Sequence, residues 1–315
     1  LRAARITEYG GSPSVVEIEP PEIGEGRVEV EVELAGINPV DLAIASGRFD
    51  AGAPPLPYTP GLEGIGLMPD GQRVWFDRPM YPVGSLAERC SVDPAGAIEL
   101  PDGTTAADAI AFGVAGMAAW LPLSWRGKLE EGECVLILGA SGSVGQIAIQ
   151  AARLLGAGRV VGAARSEAGR ARALELGADA VVSTEGSVED VADSIREACP
   201  GGPDLVLDGL WGTPAEAALA AIAPHGRLVQ VGNSAAKEAQ VTAGPLRGGL
   251  VSILGHRNFH APVEVQAEAF RRMCALSASG ELVIETQVFD LDSVADAWKL
   301  QATSPGRKLA VAPGA

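Results

Sequence analysis

Positive charge is scarce in this chain. Its 315 residues include 24 lysines and arginines against 40 aspartates and glutamates, a formal net charge of −16. Such a surface repels phosphate backbones and anionic membranes, which argues against nucleic-acid or membrane-surface binding. Any anionic ligand must be held by local positive features. Aromatic residues make up only 4%, too few for the stacking platforms that bind single strands. No stretch of about 18 apolar residues occurs, so no membrane-spanning helix is expected, and Leu1 to Gly10 lacks a secretory pattern. Cysteine is rare as well. Cys90, Cys134, Cys199 and Cys274 lie far apart without CxxC spacing, which reads as reduced, packed thiols in a cytoplasmic protein.

What is present is a globular chain, 47% apolar and 20% charged. At roughly 150 residues per domain it predicts about two domains. The first third reads as β. In Arg27 to Leu34 the valines and Leu34 alternate with Glu29, Glu31 and Glu33, the pattern of a half-buried strand with an acidic face. Short apolar runs such as Arg73 to Phe76 follow, broken by Gly and Pro clusters, as in a small barrel or sandwich. From Cys134 the rhythm changes. Buried strands are expected at 134–138, 159–163, 180–183, 205–208 and 227–231, alternating with helices. Ser187 with Asp190 and Thr213 with Glu216 have capping-box form, the second with Pro214 at the first helical position. Residues 117–254 thus predict a doubly wound parallel sheet. A helix at 263–277 and strand-like runs at 282–289 and 308–311 complete the chain. Too few to form a domain, they are expected to join residues 1–116, making 1–116 and 255–315 one domain with 117–254 inserted.

The sharpest motif is Gly139-Ala140-Ser141-Gly142-Ser143-Val144-Gly145, a GxGxxG with alanine in the first glycine position. It follows a buried strand and opens a helix, the context that makes it a dinucleotide turn. Gly142 lets backbone approach a pyrophosphate, Gly145 lets the helix pack close, and the helix N-terminus supplies partial positive charge. An NAD site places an acid about 20 residues on. Here Ala164, Arg165 and Ser166 stand there, with Arg170 beyond. A guanidinium and a hydroxyl suit a 2′-phosphate, so the expected cofactor is NADPH. The competing reading makes Arg165 and Arg170 solvated helix residues.

With these motifs in place, the chain resembles the medium-chain dehydrogenase/reductase superfamily, and within it the zinc-free quinone oxidoreductases of the zeta-crystallin type. The likeness also rests on Gly36-Ile37-Asn38-Pro39-Val40-Asp41, Leu56 to Gly61, Leu205 to Gly209, Val231-Gly232-Asn233-Ser234 and Gly306-Arg307-Lys308. It implies a Rossmann domain inserted in a GroES-like, mainly β catalytic domain built from both chain ends. Asn38 would stand beside the nicotinamide ribose or substrate, and Gly232, Asn233 and Ser234 at the nicotinamide end. Zinc-dependent members carry a cysteine where this chain has Asn38 and a histidine where it has Leu62. Their third ligand falls in a segment that here reads IAFGVAG (110–116), so no metal is expected. His256 and His260, four apart, make half a metal site at best. The two tyrosines of zeta-crystallin-type clefts are matched by Ala43 and Phe49, which implies a roomier, more apolar acceptor site. Phe49 and Tyr58 are candidate cleft residues with Asn38, although Tyr58 also suits strand-edge packing and Asn38 a turn before Pro39. Asp41 reads as a helix cap, with orientation of a water as the alternative.

The expected activity is hydride transfer from NADPH to a quinone or related conjugated carbonyl. A C=C reductase of enals, enones or enoyl thioesters is the alternative, and a non-catalytic NADPH-binding sensor or structural protein is the second. The resemblance implies a homodimer joined through the apolar segment Leu250 to Leu254.

Overall fold

The computed structural model describes residues 1–49 and 51–314. In chain order, β1 (Arg2–Arg5), β2 (Ser14–Glu17), β3 (Val28–Ile37), α1 (Pro39–Ala45), β4 (Glu63–Leu67), β5 (Arg73–Asp77), β6 (Arg89–Val92) and β7 (Ile98–Glu99) lead to α2 (Ala106–Phe112) and α3 (Val114–Leu121). Strand and helix then alternate through β8 (Cys134–Leu138), α4 (Ser143–Leu154), β9 (Arg159–Ala164), α5 (Glu167–Glu175), β10 (Ala180–Ser183) and α6 (Val188–Ala198). The alternation continues with β11 (Leu205–Asp208), α7 (Thr213–Ala221), β12 (Arg227–Gln230), α8 (Ala243–Gly249) and β13 (Ser252–Gly255). Last come α9 (Val263–Ala278), β14 (Thr286–Asp290), α10 (Val294–Ala302) and β15 (Lys308–Ala312).

Two compact units result, Leu1–Ala115 with Phe270–Ala315, and Gly116–Ala269. The division falls inside α9, so residues 255–269 group with the middle of the chain, not with its ends as expected from the few elements that follow residue 254.

The unit made of the chain ends holds a mixed sheet in the order β14-β15-β3-β4-β5-β7, with β6 also paired to β3. Its long strand β3 follows the alternation in its sequence only part of the way. Val30, Val32 and Leu34 are buried while Glu31 and Glu33 are exposed, but from Leu34 to Ile37 every residue is buried. The switch coincides with a register shift against β4 between Val32 and Leu34, and the antiparallel β15 covers the strand from Ala35 to Ile37. The acidic face is less solvated than its pattern implied. Glu33 takes a bidentate pair from Arg73 and Glu29 one bond from Arg89. Ile37, Phe76, Leu86, Trp298 and Val311 belong to this unit's core. At the C-terminal end the strand expected over 282–289 starts only at Thr286. Glu281 and Leu282 donate their amides back to the Leu276 carbonyl, finishing α9, so their backbone is already committed.

The middle unit is the expected Rossmann layer, a wholly parallel six-stranded sheet in the order β10-β9-β8-β11-β12-β13. β8 and β11 are flanked on both sides, which is why CVLIL and LVLD read as nearly unbroken apolar runs. Leu136, Val161 and Val206 meet Val191 and Ile195 of α6 and Ala215 and Ala218 of α7 in one core. Among the described residues no single helix is long and apolar enough to cross a membrane.

The two expected capping boxes part company. Ser187 accepts from the Asp190 amide, and Asp190 accepts in return from the Ser187 amide. Thr213, by contrast, is the first residue of α7, and Gly212 (φ 61°) takes the cap position without a side chain. Ser187→Ala should therefore cost about 1 kcal/mol of the unit's stability, and Thr213→Ala less than about half of that. Urea unfolding of both variants checks this, and equal losses would restore Thr213 as the cap.

Candidate functional site

In the middle unit the motif forms a tight strand-to-helix turn. Gly139 (φ +86°) and Ala140 both donate their amides to the Ala163 carbonyl, at 3.0 and 2.9 Å, fastening the turn to the end of β9. Gln146 is the first α4 amide to close inside the helix, onto Gly142 O at 2.9 Å. The amides of Ser143, Val144 and Gly145 precede it and have no intrahelical acceptor, at the positive end of a 12-residue helix. The two later glycines differ physically. A β-carbon on Gly145 would stand 2.2 Å from the Gly139 carbonyl oxygen, so that position admits no side chain. One on Gly142 would meet only Gly139 O at 3.6 Å, and its backbone (φ −77°, ψ 165°) suits any residue. Open space and unpaired donors therefore adjoin at Gly142, which fits a diphosphate.

At the end of β9, Ala164 is buried and carries no carboxylate; the first acid after it is the exposed Glu167, in the first turn of α5. Arg165 is exposed, and its side chain makes no hydrogen bond or ion pair among the described residues. Ser166 caps α5, its Oγ accepting from Gly169 N at 3.1 Å. Arg170 is less free than its sequence position suggested: Nη1 donates to the carbonyls of Ala164 (3.1 Å) and Arg165 (2.7 Å). It shapes the corner, and the Arg165 guanidinium is left to meet a ligand. This arrangement fits a 2′-phosphate.

Further along the sheet, the Asp208 carbonyl accepts from Val231 N (2.8 Å) and Gly232 N (3.2 Å), and the Gly209 carbonyl from Ser234 Oγ (3.0 Å). The loops after β11 and β12 are thereby joined, with Asn233 exposed on the second. Asp208 itself is fully buried, a residue whose side-chain role the motifs did not single out. Oδ1 accepts from the amides of Leu210 (2.9 Å) and Trp211 (3.0 Å), while Oδ2 has no partner among the described residues. Burial pushes its pKa up to about 6 against those two bonds. The available signal was a carboxylate ending a four-residue apolar strand.

In the unit of the chain ends, Asn38 sits in a buried polar cluster. Its Nδ2 donates to Glu63 Oε1 (2.8 Å) and its Oδ1 accepts from Lys308 Nζ (2.7 Å). Lys308 also reaches Glu63 Oε1 at 2.5 Å, and Glu63 Oε2 accepts from Trp75 Nε1 (2.9 Å) and Val114 N (2.7 Å). Glu63 is 0% and Lys308 2% exposed, so the cluster is held by full satisfaction of its charges. A β-carbon on Gly113 would fall 2.2 Å from Glu63 Oε2, so glycine there is what lets the chain close over the carboxylate. Asp41 is the cap it reads as, its Oδ2 accepting from Asn38 N at 2.8 Å; burial raises its pKa to about 6.

Tyr58 requires a correction. Expected in the substrate cleft, it is 0% exposed and packed in the core with its ring edge-on to Tyr81, centroids 5.6 Å apart. Its backbone pairs both ways with Ile6, and burial pushes its pKa up to about 12. The hydroxyl faces no open surface, because a strand-edge tyrosine beside apolar neighbours is drawn inward. Phe49 is half-buried against the same core. His256 bonds Asn258 Oδ1 at 3.1 Å and meets Trp125 edge-on; among the described residues no group of three metal-ligating side chains gathers.

In the folded chain Asp208 (about 6) lies above an ordinary aspartate (3.8). Between those values the folded state holds a proton that the unfolded chain has lost. Stability therefore falls as pH rises from about 4 to 6 and levels off above, by about 3 kcal/mol in full. Asp208→Asn should flatten the urea-midpoint profile over that range, leaving the parallel contribution of Asp41. An unchanged slope would show that Asp208 is not its source.

Comparison with known proteins agrees with this geometry. The family described as zinc-binding dehydrogenase matches residues 143–276. Quinone oxidoreductase of Lama guanicoe is 30% identical over 249 residues, covering 74% of this chain and 73% of its own. Prostaglandin reductase-3 of Mus musculus is 28% identical over 285 residues, covering 84% and 73%. The crystal structure of the quinone oxidoreductase of Thermus thermophilus, solved also with NADPH, superposes with a TM-score of 0.83 at 28% identity, covering 99% of this chain and 100% of that one. With a parallel six-stranded sheet, a glycine turn on its first strand and this likeness along nearly its whole length, the chain belongs to the quinone oxidoreductase family of the medium-chain dehydrogenase/reductase superfamily.

Proposed function

We propose that the protein is an NADPH-dependent oxidoreductase that reduces quinones or related conjugated carbonyls without zinc. The observation that carries this reading is the pairing of an anion-ready turn at Gly142 to Gly145 with an unpartnered Arg165 side chain at the end of β9, in a chain of net charge −16. The Thermus relative was solved with NADPH, which supports the cofactor. When bound, NADPH supplies a hydride. The amides of Ser143, Val144 and Gly145, with Gly139, Ala140 and Ser141 shaping the turn, hold the diphosphate. Arg165 and Ser166 meet the 2′-phosphate beside Ala164, with Arg170 bracing them. Gly232, Asn233 and Ser234 take the nicotinamide end.

The zinc-free part rests on donor chemistry. Asn38 and Leu62 stand where zinc-dependent relatives carry thiolate and imidazole, and the Asn38 carboxamide is engaged at both ends by Glu63 and Lys308. A conjugated acceptor is already activated, so placement of the hydride against the acceptor carbon supplies most of what catalysis needs. In this reading Asn38 is a cofactor- or substrate-facing group oriented by its two charged partners, and Phe49 lines the acceptor site. The chain ends supply the catalytic domain and the middle unit, Gly116–Ala269, the nucleotide domain. Two chains pair through β13, where Leu250 is 64% exposed beside the edge strand. The four thiols suit a cytoplasmic setting. The mouse relative named prostaglandin reductase favours a second reading, reduction of an enone C=C bond.

Purified protein treated with a metal chelator should oxidise NADPH with quinones, and NADH more slowly. Turnover confined to alkenals or enones would move the function to C=C reduction, and a requirement for added zinc would overturn the metal-free reading. Arg165→Glu should lower the preference for NADPH over NADH roughly ten- to a hundredfold. An unchanged ratio of kcat/KM values would assign the 2′-phosphate to another residue.

A further inference from the structure

Two of the four cysteines, isolated in the sequence, are brought together by the fold. Cys134 opens β8 and Cys199 directly follows α6, and their sulfurs stand 2.8 Å apart across 65 residues of chain. Both are free thiols. Each is anchored by its backbone. Cys134 N donates to Asp204 Oδ2 (2.8 Å) and Asp204 N to Cys134 O (2.9 Å). Cys199 N donates to Ile195 O (2.7 Å) and Gly202 N to Cys199 O (2.8 Å).

The two sulfurs are inequivalent. Cys134 is partly exposed and Cys199 is 0% exposed. The hydrogen bond shared with Cys199 holds the Cys134 thiol below the ordinary range, and the same bond, with burial, pushes Cys199 up. Arg159 stands opposite Cys134 in the β8–β9 register and donates Nε to Ala198 O at 2.6 Å; its positive charge is set against the Asp204 and Asp179 carboxylates, which act on Cys134 in the other direction. A surface groove is lined by Arg159, the strand partner of Cys134, and by Ala198, the residue before Cys199, with Ser183, Ser194 and Glu197. A partly exposed thiol with a lowered pKa, within bonding reach of a buried second thiol, is the arrangement of a reactive and a resolving cysteine.

We propose that Cys134 and Cys199 form a peroxide-reactive dithiol that closes to an intramolecular disulfide. The Cys134 thiolate attacks one peroxide oxygen, breaking the O–O bond and forming a sulfenic acid; the released hydroxide takes a proton and leaves as water. The Cys199 sulfur then displaces the sulfenic oxygen, which takes the Cys199 proton and leaves as a second water. Two thiols are oxidised by two electrons in total, and one peroxide is reduced to two waters. The new bond closes a loop from 134 to 199 that contains the Gly139–Gly145 turn and the Arg165 corner. It therefore constrains the unfolded form of the segment proposed to grip the cofactor.

The test is thiol mapping of the intact reduced protein after hydrogen peroxide, by denaturation, maleimide labelling and mass spectrometry. The expected result is a loss of two hydrogens, two fewer labels, a cross-linked peptide joining Cys134 to Cys199, and label retained on Cys90 and Cys274. Dithiothreitol should restore all four labels, and the oxidised form should melt several degrees higher. Cys134→Ser and Cys199→Ser should each abolish the cross-link. Labels retained on both cysteines of the wild type, or Cys134 carried on to sulfinic acid with no cross-link, would overturn the proposal. The decisive reading is on the wild type, so it stands even if a variant fails to fold.

Discussion

The approach of α4 to the Gly139 carbonyl is the constraint on which the nucleotide unit depends. With no side chain at Gly145 the helix starts close against the end of β8, and its first amides are left facing open space at Gly142. An acidic chain has few ways to attract a polyanion. Side-chain cations are diluted by surrounding carboxylates, whereas backbone amides at a helix start carry fixed partial charge whatever the surface composition. The net charge of −16 and the glycine turn belong to one physical account. Positive character is confined to where geometry puts it, and Arg165 refines it at a single point.

The second unit is organised around a different device. Glu63 and Lys308, 245 residues apart in sequence, form a fully buried ion pair that also takes up both ends of the Asn38 carboxamide. Removing one member of such a pair strands a buried charge and typically costs about 3–5 kcal/mol, near the scale of a domain's margin. Joining β4 to β15 in this way ties the two chain ends into one unit and fixes the rotamer of Asn38. In the proposed reading, the residue replacing a metal ligand is held by charge rather than by a metal.

What the sequence made legible is what is local. The strand–turn–helix of residues 134–154, the alternation in β3 up to Leu34 and the Ser187 cap rest on neighbours within a few residues. What it hid is non-local. Nothing adjacent to Glu63 announces Lys308, although a charged residue opening an apolar strand, as in EGIGL and KLAVA, signals a buried partner. Cys134 and Cys199 looked isolated for the same reason: their contact is made by the α6-to-β11 connection, not by spacing. Tyr58 failed differently, since nearness in sequence to Asn38 says nothing about which way a ring turns. Thr213 lost its cap because Gly212 accepts a positive φ and starts the helix without it.

Gly142→Asp offers the most direct measurement, because two effects of one carboxylate have opposite signs. The position has room and an ordinary backbone conformation, and aspartate is a favourable helix cap. The apo protein should melt at the same temperature or higher. In a fluorescence titration, NADPH affinity should fall by roughly a hundredfold or more, as the carboxylate takes the place of the diphosphate and repels it. Unchanged NADPH affinity in a folded variant would contradict the account, since the cofactor would then be held somewhere other than this turn.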